Sequence, residues 1–311
     1  MRILVTGATG FIGRRLCEAL HRRGESVVAL VRDPESAQSK LYGRARLVGW
    51  NPPESGPWQE ELSQVDAVVN LAGESVVGRW TDEHKKKVYD SRIVGTRALV
   101  DAIGRAPEGK GRAGARPRLL VQASAIGYYG ATTAETDEAS PAGKGFLAKV
   151  CTDWEHEANR AEEFGTKVVV CRIGVVLGKG GGALPQMARP FKMFVGGPIG
   201  SGNQWMSWVS LDDVVGMLEM ALFKPEVTGP INLVAPEPVT NRAFAKLLGS
   251  VLGRPAFMPT PEAALRAIFG EGASVLTDSQ RVVPRRAIEL EYPFLHPSLR
   301  GALKSGLGIE D

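Results

Sequence analysis

Thr6-Gly7-Ala8-Thr9-Gly10-Phe11-Ile12-Gly13 decides how this chain is read. The glycine spacing, GxxGxxG, says little in isolation; its setting gives it weight. Residues 3–5 before it form a short apolar strand pattern. Residues 11–23 after it place Phe11, Ile12, Leu16, Ala19 and Leu20 at helical spacing, and Gly24 stands where a C′ glycine ends a helix. A glycine turn between strand and helix lets backbone approach a pyrophosphate, whose charge rests on the helix N-terminus. The bland alternative is a tight βα turn with no ligand, but the strand–turn–helix context favours a dinucleotide. Gly7, Thr9, Gly10, Phe11, Ile12 and Gly13 are therefore the first candidate binding residues.

The end of the next strand pattern, residues 27–31, selects the coenzyme. An acidic side chain about 20 positions beyond the glycines would hydrogen-bond the ribose 2′-hydroxyl of NAD. Here Val31 is followed by Arg32, whose guanidinium suits a 2′-phosphate, and then by Asp33, which a one-residue slip would bring into the NAD position. Asp33-Pro34 reads as the start of a turn, so NADP (NADPH) is the expected cofactor, with Val31 and Arg32 at its phosphorylated ribose.

Working outward, residues 65–71, 119–123 and 168–173 are further strand patterns, and 82–103 (with Thr81 as N-cap) and 147–164 are helical. Such alternation predicts an α/β fold, a Rossmann-like doubly wound parallel sheet over residues 1–175, with a strand returning around 205–235. Beyond it glycine and proline become dense, and residues 176–311 are expected to form a smaller C-terminal substrate lobe with helices at 211–223, 241–252 and 261–269. Residues 105–118 are Gly/Pro/Arg-rich and read as an exposed loop whose cations are solvated.

Composition narrows the function classes. The 311 residues carry 38 Lys and Arg against 34 Asp and Glu, a net +4 with no basic stripe, so a nucleic-acid partner is not expected. Cys17, Cys151 and Cys171 are odd in number and widely spaced, which argues against disulfides or zinc and for a reducing compartment. Four scattered histidines suggest no metal site, and no GxSxG elbow suggests a hydrolase. No run reaches the roughly 18 apolar residues of a membrane span. A soluble cytoplasmic protein without a membrane partner is expected, or a stromal or matrix one if a leader has been removed.

At this point the chain resembles the extended short-chain dehydrogenase/reductases, and within them the atypical epimerase-family, SulA-like (cell-division-inhibitor) branch that includes the plant giant-chloroplast protein. The resemblance runs through the glycine loop, Asn70-Leu71-Ala72-Gly73-Glu74, Ser91-Arg92-Ile93-Val94-Gly95-Thr96 and Arg172-Ile173-Gly174-Val175-Val176-Leu177-Gly178. It continues through residues 197–204 and 208–214 to Ser279-Gln280-Arg281-Val282-Val283-Pro284 in a C-terminal module peculiar to the branch. It implies that Leu71, Ala72 and Gly73 pass the adenosine side of the coenzyme, that Arg92 lies near it, and that Val175 lines the nicotinamide. Without the family, Arg92 is an ordinary helix charge, and Asp212 and Asp213 are acids favoured by a helix dipole. Gln204, Trp205 and Trp208 either pack or touch substrate, and Trp50, Trp58, Trp80 and Trp154 pack sheet against helices.

The superfamily's proton machinery is a Ser or Thr with a Tyr four residues before a Lys, the lysine lowering the phenol pKa. Ser124 and Lys149 match, but Gly145 stands where the tyrosine belongs. Either Tyr128 or Tyr129 takes the acid role, or catalysis is weak and uses Ser124 with Lys149 or water, or the chemistry is lost. The expected function is thus an NADP(H)-dependent oxidoreductase or epimerase on a small polar or nucleotide-sugar-like substrate. The alternative is a catalytically weak NADPH-sensing regulatory protein with a protein partner. Superfamily precedent implies a homodimer through the 82–103 and 147–164 helices.

Overall fold

The computed structural model describes residues 1–108 and 115–309. Its first strands are β1 (Arg2–Thr6), β2 (Ser26–Val31), β3 (Arg46–Gly49), β4 (Ala67–Asn70), β5 (Leu119–Ala125) and β6 (Thr132–Thr136). Between them lie helices α1 (Phe11–Arg22), α2 (Pro34–Leu41), α3 (Trp58–Glu61) and α4 (Asp82–Arg105). Helix α5 (Phe146–Asn159), β7 (Lys167–Ile173), β8 (Val175–Leu177), α6 (Leu184–Lys192), β9 (Trp205–Met206), β10 (Trp208–Ser210) and α7 (Leu211–Phe223) follow. The chain then runs through β11 (Gly229–Leu233), β12 (Val239–Thr240), α8 (Asn241–Leu252), α9 (Glu262–Phe269) and α10 (Ser274–Thr277). It closes with β13 (Gln280–Val282), α11 (Arg285–Glu289) and α12 (Leu299–Leu307).

Seven strands form one parallel sheet in the order β11-β7-β5-β4-β1-β2-β3. Its strands read as near-continuous apolar runs because both faces are covered. Alternation along β1 and β2 makes this explicit: Ile3, Val5, Val27, Ala29 and Val31 enter one buried layer, while Leu4, Val28 and Leu30 enter the other. The first layer is closed by α1 through Leu16 and Leu20 and by α7 through Val214 and Leu218. The second is closed by α4 through Leu99 and Ile103, with Trp50 and Trp58 beneath it. The order reverses between β1 and β4, so the carboxyl ends of these strands open a crevice of the kind that holds ligands in doubly wound folds.

Several sequence expectations change. The 211–223 helix, assigned to the lobe, packs on the sheet instead, because its Val214, Met217 and Leu218 are apolar on the face that meets β5 and β7. The returning strand is β11 alone; residues 205–210 belong to two-stranded pairs in the lobe. The 147–164 helix divides after Asn159, where the last turn tightens to a 3₁₀ segment, Arg160–Phe164, that stops at left-handed Gly165 (φ 78°). Helix α2 and strand β3 had no apolar period strong enough to read. Of the 105–118 loop, residues 109–114 lie outside the described residues. Arg116 is not solvated as expected: its guanidinium donates to the carbonyls of Phe164 (2.7 Å) and Ala106 (3.2 Å).

The C-terminal lobe has its own core, in which Leu184 and Phe191 of α6 meet Phe244 and Leu248 of α8 and Leu299 and Leu303 of α12. It is joined to the Rossmann part by the parallel pairing of β13 with β6, a two-stranded sheet apart from the main one. Among the described residues no helix is long and apolar enough to cross a membrane.

Candidate functional site

The glycine loop is shaped by close approach. Gly7 is left-handed (φ 65°), and a Cβ there would stand 2.7 Å from the Leu71 carbonyl carbon; one at Gly13 would stand 2.2 Å from the Gly7 oxygen. These contacts let α1 settle onto the turn and the turn onto the segment after β4. Helix α1 begins at Gly10 with no side-chain cap and no acid in its first turn. Its leading N–H groups are thereby open to an anion. Phe11 and Ile12 turn their side chains into packing, Phe11 under Gly178, Gly181 and Gly182 of the lobe. They can offer a ligand only main chain.

Beside this loop lies a cavity of about 360 Å³. Gly7, Thr9, Gly10, Val31 and Arg32 line one side, and Leu71, Ala72 and Gly73 the other. Arg32 is exposed and, among the described residues, has no ion-pair partner. Asp33 is spent elsewhere. It does not start a turn, as the sequence suggested, but caps α2, accepting from the amides of Glu35 (3.0 Å) and Ser36 (3.3 Å). Those bonds, chiefly with Ser36, hold its carboxyl below the usual aspartate range. The register therefore leaves the cation at the cavity and removes the acid.

Arg92 comes from α4, half-buried against Gly73: a Cβ on that glycine would stand 3.0 Å from the Arg92 Cζ. It donates to the Val88 carbonyl at 3.0 Å and lies 5.1 Å from the Trp154 ring centroid. Among the described residues no carboxylate pairs with it, and burial holds its pKa below the ordinary arginine value. The indole Nε1 of buried Trp50, in the cavity wall, has no hydrogen-bond partner. An uncapped helix start, a glycine cradle and under-paired cations fit a phosphorylated dinucleotide.

Sequence reasoning missed the polar lattice beneath. Thr6 Oγ1 donates to Asn70 Oδ1 (2.5 Å) and accepts from the amides of Leu71 and Ala72, both at 3.2 Å. Asn70 Nδ2 donates to Thr96 Oγ1 and Gln122 Oε1, each at 2.9 Å, and the Trp154 indole donates to Thr96 at 2.8 Å. Buried polar groups at the ends of β1 and β4, with Gln122 inside β5, thus hold the 71–73 loop in place. The only sequence signal was polar residues closing apolar strands.

A second cavity, about 490 Å³, lies between the sheet and the C-terminal segment, walled by Gly127, Gly130 and Gly145 on one side and by Thr277, Asp278 and Gln280 on the other. A smaller one shares Asp278 and Gln280 and adds Val175, Gln204 and Trp205.

A family model for the "NAD dependent epimerase/dehydratase family" matches residues 3–233, and a domain of unknown function, DUF1731, matches 260–305. The chain is 44% identical to the Arabidopsis thaliana protein "Epimerase family protein SDR39U1 homolog, chloroplastic" over 98% of its own length and 86% of that protein. It is 40% identical to human SDR39U1 over 98% of its length and 99% of that protein. The crystal structure of human SDR39U1 (isoform 2) with NADPH superposes with a TM-score of 0.84 at 37% identity, covering 99% of both chains. The chain belongs to the NAD dependent epimerase/dehydratase family. Its SDR39U1-like relatives share both the Rossmann part and the module.

In this epimerase-family chain the expected proton relay is dispersed. Lys149 does not face the site: its side chain is 69% exposed on α5 and pairs with Asp153 at 2.7 Å, one helical turn away. Ser124 is buried, and its hydroxyl donates to Glu155 Oε1 at 2.6 Å. Glu155 in turn is bound by Arg172 through Nε (2.9 Å) and Nη2 (2.8 Å). Arg172 Nη1 donates to the Tyr129 hydroxyl (3.0 Å), which donates to Asn232 Oδ1 (2.8 Å). Burial pushes the Tyr129 phenol up to about 12. The Arg172 guanidinium lies 3.5 Å over the Tyr128 ring. Ser124, Tyr128 and Tyr129 thus gather around one buried arginine, apart from Lys149.

Two further expectations resolve. Trp208 is packing, fully buried with its indole donating to the Glu237 carbonyl at 3.0 Å. Gln204 and Trp205 line the smaller cavity. Asp213 is structural, its carboxylate tying down the segment ahead of α12 by accepting from the amides of Leu295 (2.7 Å) and His296 (3.0 Å), while Asp212 pairs with Arg15.

Proposed function

We propose that this chain binds NADP(H) along the carboxyl ends of β1, β2 and β4 and acts as an oxidoreductase or epimerase on a small polar, nucleotide-sugar-like substrate in the cleft against the C-terminal lobe. The observation that carries the coenzyme choice is the divergence of Arg32 and Asp33, the first left free at the cavity and the second consumed by a helix cap. The relative crystallised with NADPH supports the same choice. In this reading the amides opening α1 meet the pyrophosphate, Arg32 meets the 2′-phosphate, and the Thr6–Asn70 bond orients the Leu71–Gly73 wall. When bound, the coenzyme supplies a hydride donor or acceptor at its nicotinamide. Titration calorimetry tests the proposal: NADPH should bind at least tenfold tighter than NADH, and equal affinities or absent heat would overturn it.

A second reading, an NADPH-sensing protein that acts through a protein partner, is favoured by Gly145 and by the outward-facing Lys149. Coenzyme binding with no NADPH oxidation across a panel of aldehydes and ketones would select it.

A further inference from the structure

Gly145 leaves a gap. A Cβ built there meets nothing within 4 Å, and the residue lines the larger cavity. The carboxylates on that cavity, Glu271 and Asp278, come from the C-terminal segment, while the Rossmann part contributes Trp80 and Lys144. Gln280 is committed, its amide donating to the carbonyls of Ile126 and Gly130, both at 3.2 Å. Those bonds, with the β13–β6 pairing, fix the module against the loop that follows β5. Glu271 is bonded by Lys85, and Glu262 by Arg266. Asp278 alone among these carboxylates has no side-chain hydrogen bond among the described residues, and it faces both the larger cavity and the smaller one that holds Val175.

We propose that Asp278 is the proton donor and acceptor of this cleft, replacing the absent tyrosine, and that the substrate is an aldehyde or ketone or the matching secondary alcohol. The inference rests on the NADP(H) reading. In the reducing direction a bound reduced coenzyme would supply a hydride to the carbonyl carbon, and the C=O π pair would move to oxygen. The Asp278 Oδ proton passes to that oxygen, leaving an alcohol, oxidised coenzyme and a carboxylate that regains its proton from water in the open cavity. The environment suits the task. Asp278 stands at the exposed rim of the cavity, and the partial loss of water there raises its carboxyl above the ordinary aspartate value; Arg266 opposes the rise and Glu262 adds to it. The other charges around the cavity are Glu271 with its partner Lys85, and Lys144 ahead of α5.

The test needs no substrate. The oxidised nicotinamide is cationic and the reduced one neutral, so a nearby carboxylate favours the oxidised form only once ionised. Calorimetric affinities for NADP⁺ and NADPH are measured between pH 4.5 and 8 on the full chain, where the 2′-phosphate is common to both ligands and cancels. The ratio of the NADPH to the NADP⁺ dissociation constant should rise about three- to tenfold as pH increases through the Asp278 transition. It should stay flat in Asp278→Asn, return in Asp278→Glu, and persist in Glu271→Gln. A flat wild-type ratio, or an unchanged slope in Asp278→Asn, overturns the assignment while leaving coenzyme binding intact. Absence of binding by the wild type would instead fell the coenzyme reading, and this inference with it.

Discussion

Arg172 grips Glu155 in the protein interior through two hydrogen bonds of 2.9 and 2.8 Å, with each side chain less than a tenth exposed. Burial works against the arginine's charge, but the bonds to Glu155 outweigh it and hold the guanidinium firmly protonated. Replacing one member leaves the other charged and unpaired in low dielectric. Arg172→Met should therefore lose about 3–5 kcal/mol of stability in urea denaturation. A loss under 1 kcal/mol would show that water reaches the pair.

Ser124→Ala removes one bond to that carboxylate while the two from Arg172 remain. The expected cost is about 1.5–3 kcal/mol in the same assay, with NADPH affinity unchanged. A selective fall in coenzyme affinity at constant stability would return Ser124 to the binding site.

Arg32→Ala should weaken NADPH about 10- to 100-fold and leave NADH unaffected, since a hydrogen bond to a charged group contributes about 1.5–3 kcal/mol. Calorimetry with both coenzymes checks it. Equal losses would mean that Arg32 supports the fold of the loop rather than the phosphate.

Gly13→Ala brings a methyl group within 2.2 Å of the Gly7 carbonyl oxygen, and backbone cannot step aside cheaply. Helix α1 should be pushed off the loop. Thermal melting should show a loss of about 1–3 kcal/mol, together with abolished NADPH binding. Lys149→Met, on the exposed face of α5, should alter neither readout.

Glu138 joins the β6 side of the molecule to β11 and α11 by accepting from the amides of Asn232 (2.9 Å) and Arg286 (3.3 Å). Its other oxygen is buried without a partner, and burial raises its carboxyl above the ordinary value of 4.5. The folded state therefore binds this proton more tightly than the unfolded chain. Its contribution to stability is full below pH 4.5 and declines as pH rises through the folded pKa. Glu138→Gln should remove that slope from denaturation curves taken between pH 4.5 and 7. An unchanged slope would place the titration on another group.

Much of the fold was legible because the relevant signals are local. Short, largely apolar runs at residues 27–31 and 119–123, set in strand–helix alternation, read as strands covered on both faces, and the GxxGxxG turn needs only its flanking strand and helix to be recognised. Thr81 and Gly24 mark helix ends through bonds made within a few residues, and each does so in the structure. Helix α2 escaped because its amphipathic period is short and its cap, Asp33, equally resembles a turn residue.

The amino-acid order settled strands β1, β2, β4, β5 and β7, the glycine cradle and the candidacy of Arg32, since each is written in one short stretch of chain. What Ser124, Lys149 and Asp278 face was out of its reach. Those orientations follow from contacts across 31 positions for Ser124 with Glu155, and from the docking of β13 on β6, which brings Asp278 opposite Gly145. A side chain's chemistry is written in its residue type, but its surroundings are assembled by distant segments whose packing no local pattern encodes.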